Sequence, residues 1–334
     1  SCGNPEVRRW FREFCERVWP EWPLEPVDAS HPLFDVYRQE NPPRVEAISD
    51  GLRTFVLYLP EDISSVWHNS GRALSSEAAY RAYRFALNLR DFGWRQAAWN
   101  TRQARRREPD PLRYTASVKA GPRTRLRLAR VRHGGNWRVG RRYEGLARLV
   151  NHVKEAAGVS LTAEENGVRP ADLAGVDIAY LTGTEPLRLS DDEVAALAAF
   201  AERGGFLWFE AAKGSRELED SMEALAERAG WTLRTLDRTH PLMTGEMAPA
   251  KGHDLTERVT FTLSLRIERL GKRFARLVGV YSGEDLVGVY SPFDVVFSLT
   301  PYRAYGCRGY ATPDAFAVAT NLLLYAGTRQ ALTR

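Results

Sequence analysis

Short apolar runs alternate with longer amphipathic stretches through the second half of the chain, and their periods predict strands and helices in turn. Leu126, Leu128 and Val131 fall in a strand over 126–131, with further strands over 178–181 and 206–209. Between and after them a 3.6-residue period predicts helices over 143–157, 191–203 and 217–229. Ser190 and Glu193 have the Ser-x-x-Glu spacing of a capped helix start, and Gly204-Gly205 supplies the stop. Short strands separated by helices of this kind pair in parallel and are covered on both faces. The expected fold class is therefore α/β, a three-layer sandwich with a mainly parallel sheet.

The pattern also recurs. Ala29-Ser30-His31-Pro32-Leu33-Phe34 is echoed by Arg238-Thr239-His240-Pro241-Leu242-Met243, and after each histidine comes an apolar strand that opens on arginine. Arg53, Tyr58, Glu61 and Asp62 have the same spacing as Arg276, Tyr281, Glu284 and Asp285. Both copies end in a helix with alanine and asparagine six apart, Ala82 and Asn88 in one, Ala315 and Asn321 in the other. Backward from the histidines, each runs through a helix to a small-residue turn, where Cys2-Gly3-Asn4 lies opposite Lys213-Gly214-Ser215. Ahead of that turn the second copy carries about 90 residues that the first lacks. The repeat predicts a complete unit over 123–330, the C-terminal half of another over 1–95, and a basic linker over 96–122 rich in Arg, Gln and Pro. Half a sheet has edges to cover, so residues 1–95 are expected to need a preceding segment, the second unit of this chain, another protein or a second copy of the chain.

Composition narrows the partners. At 334 residues, 44% apolar and 27% charged, the chain suits about two globular domains, and no apolar run approaches the roughly 18 residues of a membrane span. No basic and apolar leader marks the start, which leaves the compartment open. Cys2, Cys15 and Cys307 are too few and too far apart for a disulfide framework or a zinc finger. The net charge of +5 is uneven: between Asn100 and Arg142 fourteen Lys/Arg face Glu108 and Asp110, which leaves −7 elsewhere. Arg125, Arg127, Arg130 and Arg132 interleave with apolar residues ahead of Trp137 and Tyr143, as in phosphate and base contacts. The same apolar residues are what the first strand of a sheet needs. Nucleic acid is therefore disfavoured as a partner, and an anionic surface met through 100–142 stands as an alternative.

Asp177-Ile178-Ala179-Tyr180-Leu181-Thr182-Gly183, the capped helix from Ser190, Gly204-Gly205-Phe206-Leu207-Trp208-Phe209-Glu210 and the His-Pro turn together resemble domain of unknown function family 4159. The resemblance spans about 120–330, with a partial copy at 1–95. It implies a glutamine amidotransferase-like (flavodoxin-like) fold and bacterial proteins linked to the cell envelope. In the amidotransferases a cysteine stands on a sharp strand-to-helix turn and a His-Pro-Glu follows a later strand. Here the turn reads Glu210-Ala211-Ala212-Lys213-Gly214, and Gly283-Glu284 stands where the His-Pro pair belongs. A non-catalytic binding or assembly module is the expectation, because a nucleophile and a base within reach of each other are both missing.

Other candidates are weighed beside that expectation. Cys2 falls at the elbow of the partial copy and supports an alternative, a cysteine-dependent hydrolase or acyl transferase; a small packing residue is the favoured reading. Glu61-Asp62 and Glu284-Asp285 are placed at strand ends, where with Glu210 and Lys213 they could bind a ligand or, more simply, cap the next turn. His31 and His240 are assigned to a structural turn. No metal-ligand spacing and no cofactor signature is present.

Overall fold

The computed structural model describes residues 4–39, 41–69, 77–104, 118–121 and 123–332, and the chain divides into two units, Ser1–Arg105 and Arg106–Arg334. The first holds α1 (Pro5–Val18), β1 (Glu25–Pro26), β2 (Glu46–Ser49), β3 (Thr54–Tyr58), α2 (Ser64–Asn69) and α3 (Glu77–Ala104). The second begins with β4 (Arg125–Val131), α4 (Gly145–Ala157), β5 (Ser160–Val168), β6 (Ile178–Gly183), α5 (Asp191–Glu202), β7 (Phe206–Ala211) and α6 (Arg216–Ala229). It continues through β8 (Thr232–Thr235), α7 (Pro241–Thr244), β9 (Glu246–Met247), β10 (Ala250–Lys251), α8 (Leu263–Glu268), β11 (Val278–Ser282), β12 (Asp285–Ser291) and α9 (Thr312–Leu332).

Seven strands of the second unit form one sheet in the order β5-β4-β6-β7-β12-β11-β8. The first five are parallel to their neighbours, and β11 runs antiparallel to both β12 and β8. Every residue of β6 and β7 is buried, because the pleat sends successive side chains into two separate cores. Ile178 and Tyr180 pack with Leu146 and Leu149 of α4 and Val318 and Leu322 of α9. Ala179 and Leu181 pack with Val194 and Leu197 of α5 and Leu218 and Met222 of α6. Each such Leu, Ile or Val buried to completion contributes about 1.5–3 kcal/mol. The unit is thus α/β with helices on both faces of a mostly parallel sheet. At the head of α5, Glu193 N–H donates to Ser190 Oγ at 3.3 Å and Ser190 N–H to Glu193 Oε2 at 2.8 Å, which closes the capping box.

The β11–β12 end of the sheet adds to the sequence expectation. The strand expected over 276–281 is β11, and in a mainly parallel sheet it runs antiparallel because a tight turn at Gly283 (φ 60°) folds it straight back into β12. The parallel neighbour of β7 is β12.

In the first unit β1, β2 and β3 form an antiparallel sheet in that order over a core of Leu33, Phe34, Val45, Ile63, Ala82, Phe85 and Phe92. Helix α3 continues to Ala104, nine residues past the boundary expected at 95, so the segment expected as linker begins in helix. Residues 105–117 and 122 of that segment lie outside the described residues. His31 caps the single turn at Pro32–Phe34, its Nδ1 accepting from Leu33 N–H at 3.1 Å, and His240 caps α7 through Leu242 N–H at the same distance. In both histidines Nδ1 is thus the capping acceptor, which places the proton on Nε2.

Candidate functional site

Open α/β sheets bind ligands outside the carboxyl ends of their strands, where the strand order reverses. Here β4 has β5 on one side and β6 on the other, so the reversal lies between β4 and β6. Side-chain hydrogen bonds cross the crevice at that point. His133 Nδ1 accepts from Gly135 N–H at 3.1 Å, leaving Nε2–H to donate to the Thr182 carbonyl at 2.9 Å, and burial holds this imidazole below its ordinary pKa. Asn136 clasps the opposite loop: Nδ2 donates to Thr184 Oγ1 at 2.6 Å, and Oδ1 accepts from the N–H groups of Thr184 and Glu185 at 2.9 and 3.3 Å. Beneath them the buried Arg130 donates to the carbonyls of Trp137 and Val139, both at 3.0 Å, and lies over the Tyr180 ring at 5.1 Å.

The second feature of this edge is the turn from β7 into α6. Lys213 adopts a left-handed conformation, φ 59° and ψ 2°, and Gly214 follows at φ 69°. Only glycine fits at 214, since a Cβ would lie 2.4 Å from the Arg308 carbonyl oxygen. Ser215 caps α6 through Leu218 N–H and donates its hydroxyl proton to the Thr184 carbonyl at 2.7 Å.

Two buried carboxyls tie the turn to the loop after β12. Asp294 Oδ2 accepts from Lys213 N–H at 2.7 Å, and Oδ1 accepts from Ser298 N–H at 2.7 Å and Oγ–H at 2.8 Å. Glu210 Oε1 accepts from the N–H groups of Val295 and Val296, both at 2.9 Å, and Oε2 lies 3.0 Å from the Tyr180 hydroxyl. Burial and then the Asp294 charge push Glu210 up to about 8, against the pull of its N–H donors. Burial pushes Asp294 up to about 6. The buried Cys307 nearby is raised far above an ordinary thiol, by burial first and the Asp294 charge second, and burial also raises Cys15. Neither sulfur is poised as the thiolate that nucleophilic chemistry needs.

Glu210 and Lys213 both stand at the turn from β7 into α6, Lys213 N–H bonded to Asp294 and Glu210 to the two residues that follow it. Glu284 and Asp285 do not join them. Because β12 runs parallel to β7, with Ser291 opposite Glu210 and Gly288 opposite Leu207, Asp285 starts β12 at the other end of the sheet. Glu284 is exposed there and pairs with Arg234 at 3.4 Å. In the first unit Asp62 Oδ1 accepts from Ser64 Oγ–H at 2.7 Å and Ser65 N–H at 3.1 Å, which makes it a cap for α2, while Glu61 is exposed. Cys2 lies outside the described residues. The arginines of β4 do not form one stripe: Arg125 and Arg127 are exposed toward its start, Arg130 is buried and Arg132 is exposed just past its end. Among the described residues no group of three or more His, Cys, Asp or Glu is placed to hold a metal ion.

Sequence reasoning passed over Asp294, His133 and Asn136. One signal for Asp294 was present: Tyr290-Ser291-Pro292-Phe293-Asp294 repeats the Tyr-x-Pro-x-Asp spacing of Tyr58-Leu59-Pro60-Glu61-Asp62.

The family model described as Domain of unknown function (DUF4159) matches residues 127–326, which takes in every element of this site. Comparison with the curated proteins and with the solved structures returned no match.

Proposed function

The chain belongs to the family described as Domain of unknown function (DUF4159), and from that premise we propose that it is a non-catalytic binding or assembly module on a glutamine amidotransferase-like frame. The observation that carries this reading is the bond from Lys213 N–H to Asp294 at 2.7 Å. In acyl-transfer enzymes built on a strand-turn-helix elbow, backbone N–H groups at the turn face the developing oxyanion. Here that donor is consumed by a buried carboxyl, no thiol stands at the turn, and hydrogen bonds from His133 and Asn136 cross the crevice at the strand reversal. What remains is a joint that fixes the loops of one sheet edge, as suits a surface for recognition. Association with the bacterial envelope is part of the proposal on the strength of the resemblance.

We further infer that the first unit repeats the C-terminal half of the second. Residues 44–63 match 276–295 without a gap, placing Arg44, Gly51, Tyr58, Pro60 and Asp62 on Arg276, Gly283, Tyr290, Pro292 and Asp294. This shifts by one strand the alignment expected from Arg53. Support comes from the hairpins: Glu46 faces Tyr58 as Val278 faces Tyr290, and both registers slip at the same step, between Ile48 and Ser49 and between Val280 and Tyr281. The capping histidines agree as well, His31 lying 5.5 Å from the Phe92 ring and His240 5.8 Å from Tyr325, each ring four residues beyond the shared asparagine.

Incubating the full chain with L-glutamine and measuring ammonia tests the non-catalytic reading. Release should match the protein-free blank; hydrolysis that disappears in Lys213→Ala or Cys2→Ser would overturn it.

A further inference from the structure

Helix α8 shows the core one face and water the other. Leu265 is fully buried, and Arg269 at the C-terminal cap is buried against the rings of Phe261, Phe274 and Phe293, at 5.1 to 5.3 Å. On the opposite side Leu263, Ile267 and Leu270 stand 51%, 70% and 85% exposed. Their i, i+4, i+7 spacing puts the first two on one stripe of the helix, and Leu270 extends it into the turn beyond. A contiguous row of large aliphatic side chains in water marks a surface built to be covered.

The rim of this ridge says by what. Arg258, Arg266, Lys272 and Arg273 are all exposed, and the 2.9 Å bond from Val259 N–H to the Arg273 carbonyl brings the two ends of the segment together. Over residues 256–276 six basic side chains face two acids, and one of those, Glu268, is held by Arg308 at 2.7 Å and Arg216 at 3.5 Å. We propose that residues 258–273 seat the protein on an anionic lipid surface, with Leu263, Ile267 and Leu270 entering the boundary between headgroups and acyl chains while the cationic rim meets lipid phosphates. A protein partner is the weaker match. Stable protein interfaces bury about 800 Å² on each side, far more than three side chains supply. A lipid boundary requires no shape complementarity, and it rewards an apolar stripe rimmed by arginine and lysine. Among the described residues no helix is long and apolar enough to cross a membrane, so this contact lies on a bilayer and does not span it. The inference is independent of whether the elbow beside it is catalytic.

Flotation of the full chain with large unilamellar vesicles decides the matter. The protein should float with vesicles of phosphatidylcholine containing about a third phosphatidylglycerol, and stay behind with pure phosphatidylcholine. Leu263→Ser, Ile267→Ser and Leu270→Ser combined should weaken partitioning by about tenfold or more. Arg266→Gln and Lys272→Gln should each weaken it about fivefold at low salt. Because these side chains face solvent, the variants should keep the parent's thermal unfolding midpoint, which separates loss of contact from loss of fold. Absence of binding to the anionic vesicles at low salt would overturn the proposal. So would equal binding by the triple variant, or a homodimer on size exclusion that the triple variant abolishes.

Discussion

Glu210 and Asp294 are costly residues to bury, and the fold meets that cost with N–H donors and retained protons. Their pKa values rise on folding, Glu210 from 4.5 to about 8 and Asp294 from 3.8 to about 6. Between those limits the folded chain keeps protons that the unfolded chain has released. Their contribution to stability is therefore complete at low pH and is lost as pH rises through the window. Burial acts with the opposite sign on His253, lowered to about 4: the unfolded imidazole takes up a proton near 6.5 while the folded one resists, so stability falls as pH drops below 6.5. Glu210→Gln separates the two effects. Glutamine keeps an acceptor for Val295 and Val296 and cannot ionise, so the loss of stability between pH 5 and pH 8 should be smaller in the variant than in the parent. Urea unfolding of both at the two pH values would show it, and parallel slopes would refute the assignment.

At the scale of elements the two hairpins invite comparison, since under the proposed repeat Asp62 and Asp294 follow matching strands. Asp62 caps a short helix in water, whereas Asp294 satisfies Lys213 N–H and Ser298 N–H in the interior. Asp294→Ala strands those two donors at about 1–3 kcal/mol each and should cost several kcal/mol; Asp62→Ala should change the unfolding midpoint far less. Equal losses in denaturant melts would show that the two positions do the same work. The contrast also shows how far the sequence could be read. Strands β4, β6 and β7 and helices α5 and α6 were legible because burial on one or both faces imposes a period on Leu, Val and Phe. Strand β5 was not, for at the sheet edge Ser160–Val168 alternates buried and exposed positions weakly and carries Glu164 and Glu165. The direction of β11 was illegible too, since one glycine at 283 decides between a crossover and a hairpin. In the site, Lys213 and Glu210 could be placed from the elbow alone, but Asp294 arrives by tertiary folding from 81 residues away.

Across the molecule the two units differ in what holds them. The second has two large cores on either side of a seven-stranded sheet, while the first relies on a small cluster around Phe34 and Phe85 beneath three short strands. Opening should therefore be easier in the first unit. In hydrogen exchange the amides of β2 should exchange at least about tenfold faster than those of β6 and β7, and equal protection would argue for one cooperative body. Within the second unit Arg308 couples parts that the chain keeps far apart. Its backbone N–H donates to the Lys213 carbonyl at 2.9 Å, its guanidinium reaches Gly214 O at 2.5 Å, and the same guanidinium grips Glu268 of α8 at 2.7 and 2.8 Å. Helix and elbow are thus tied together through one side chain. The outward ridge of α8 and the turn at the end of a central strand therefore share one anchor, a single arginine side chain.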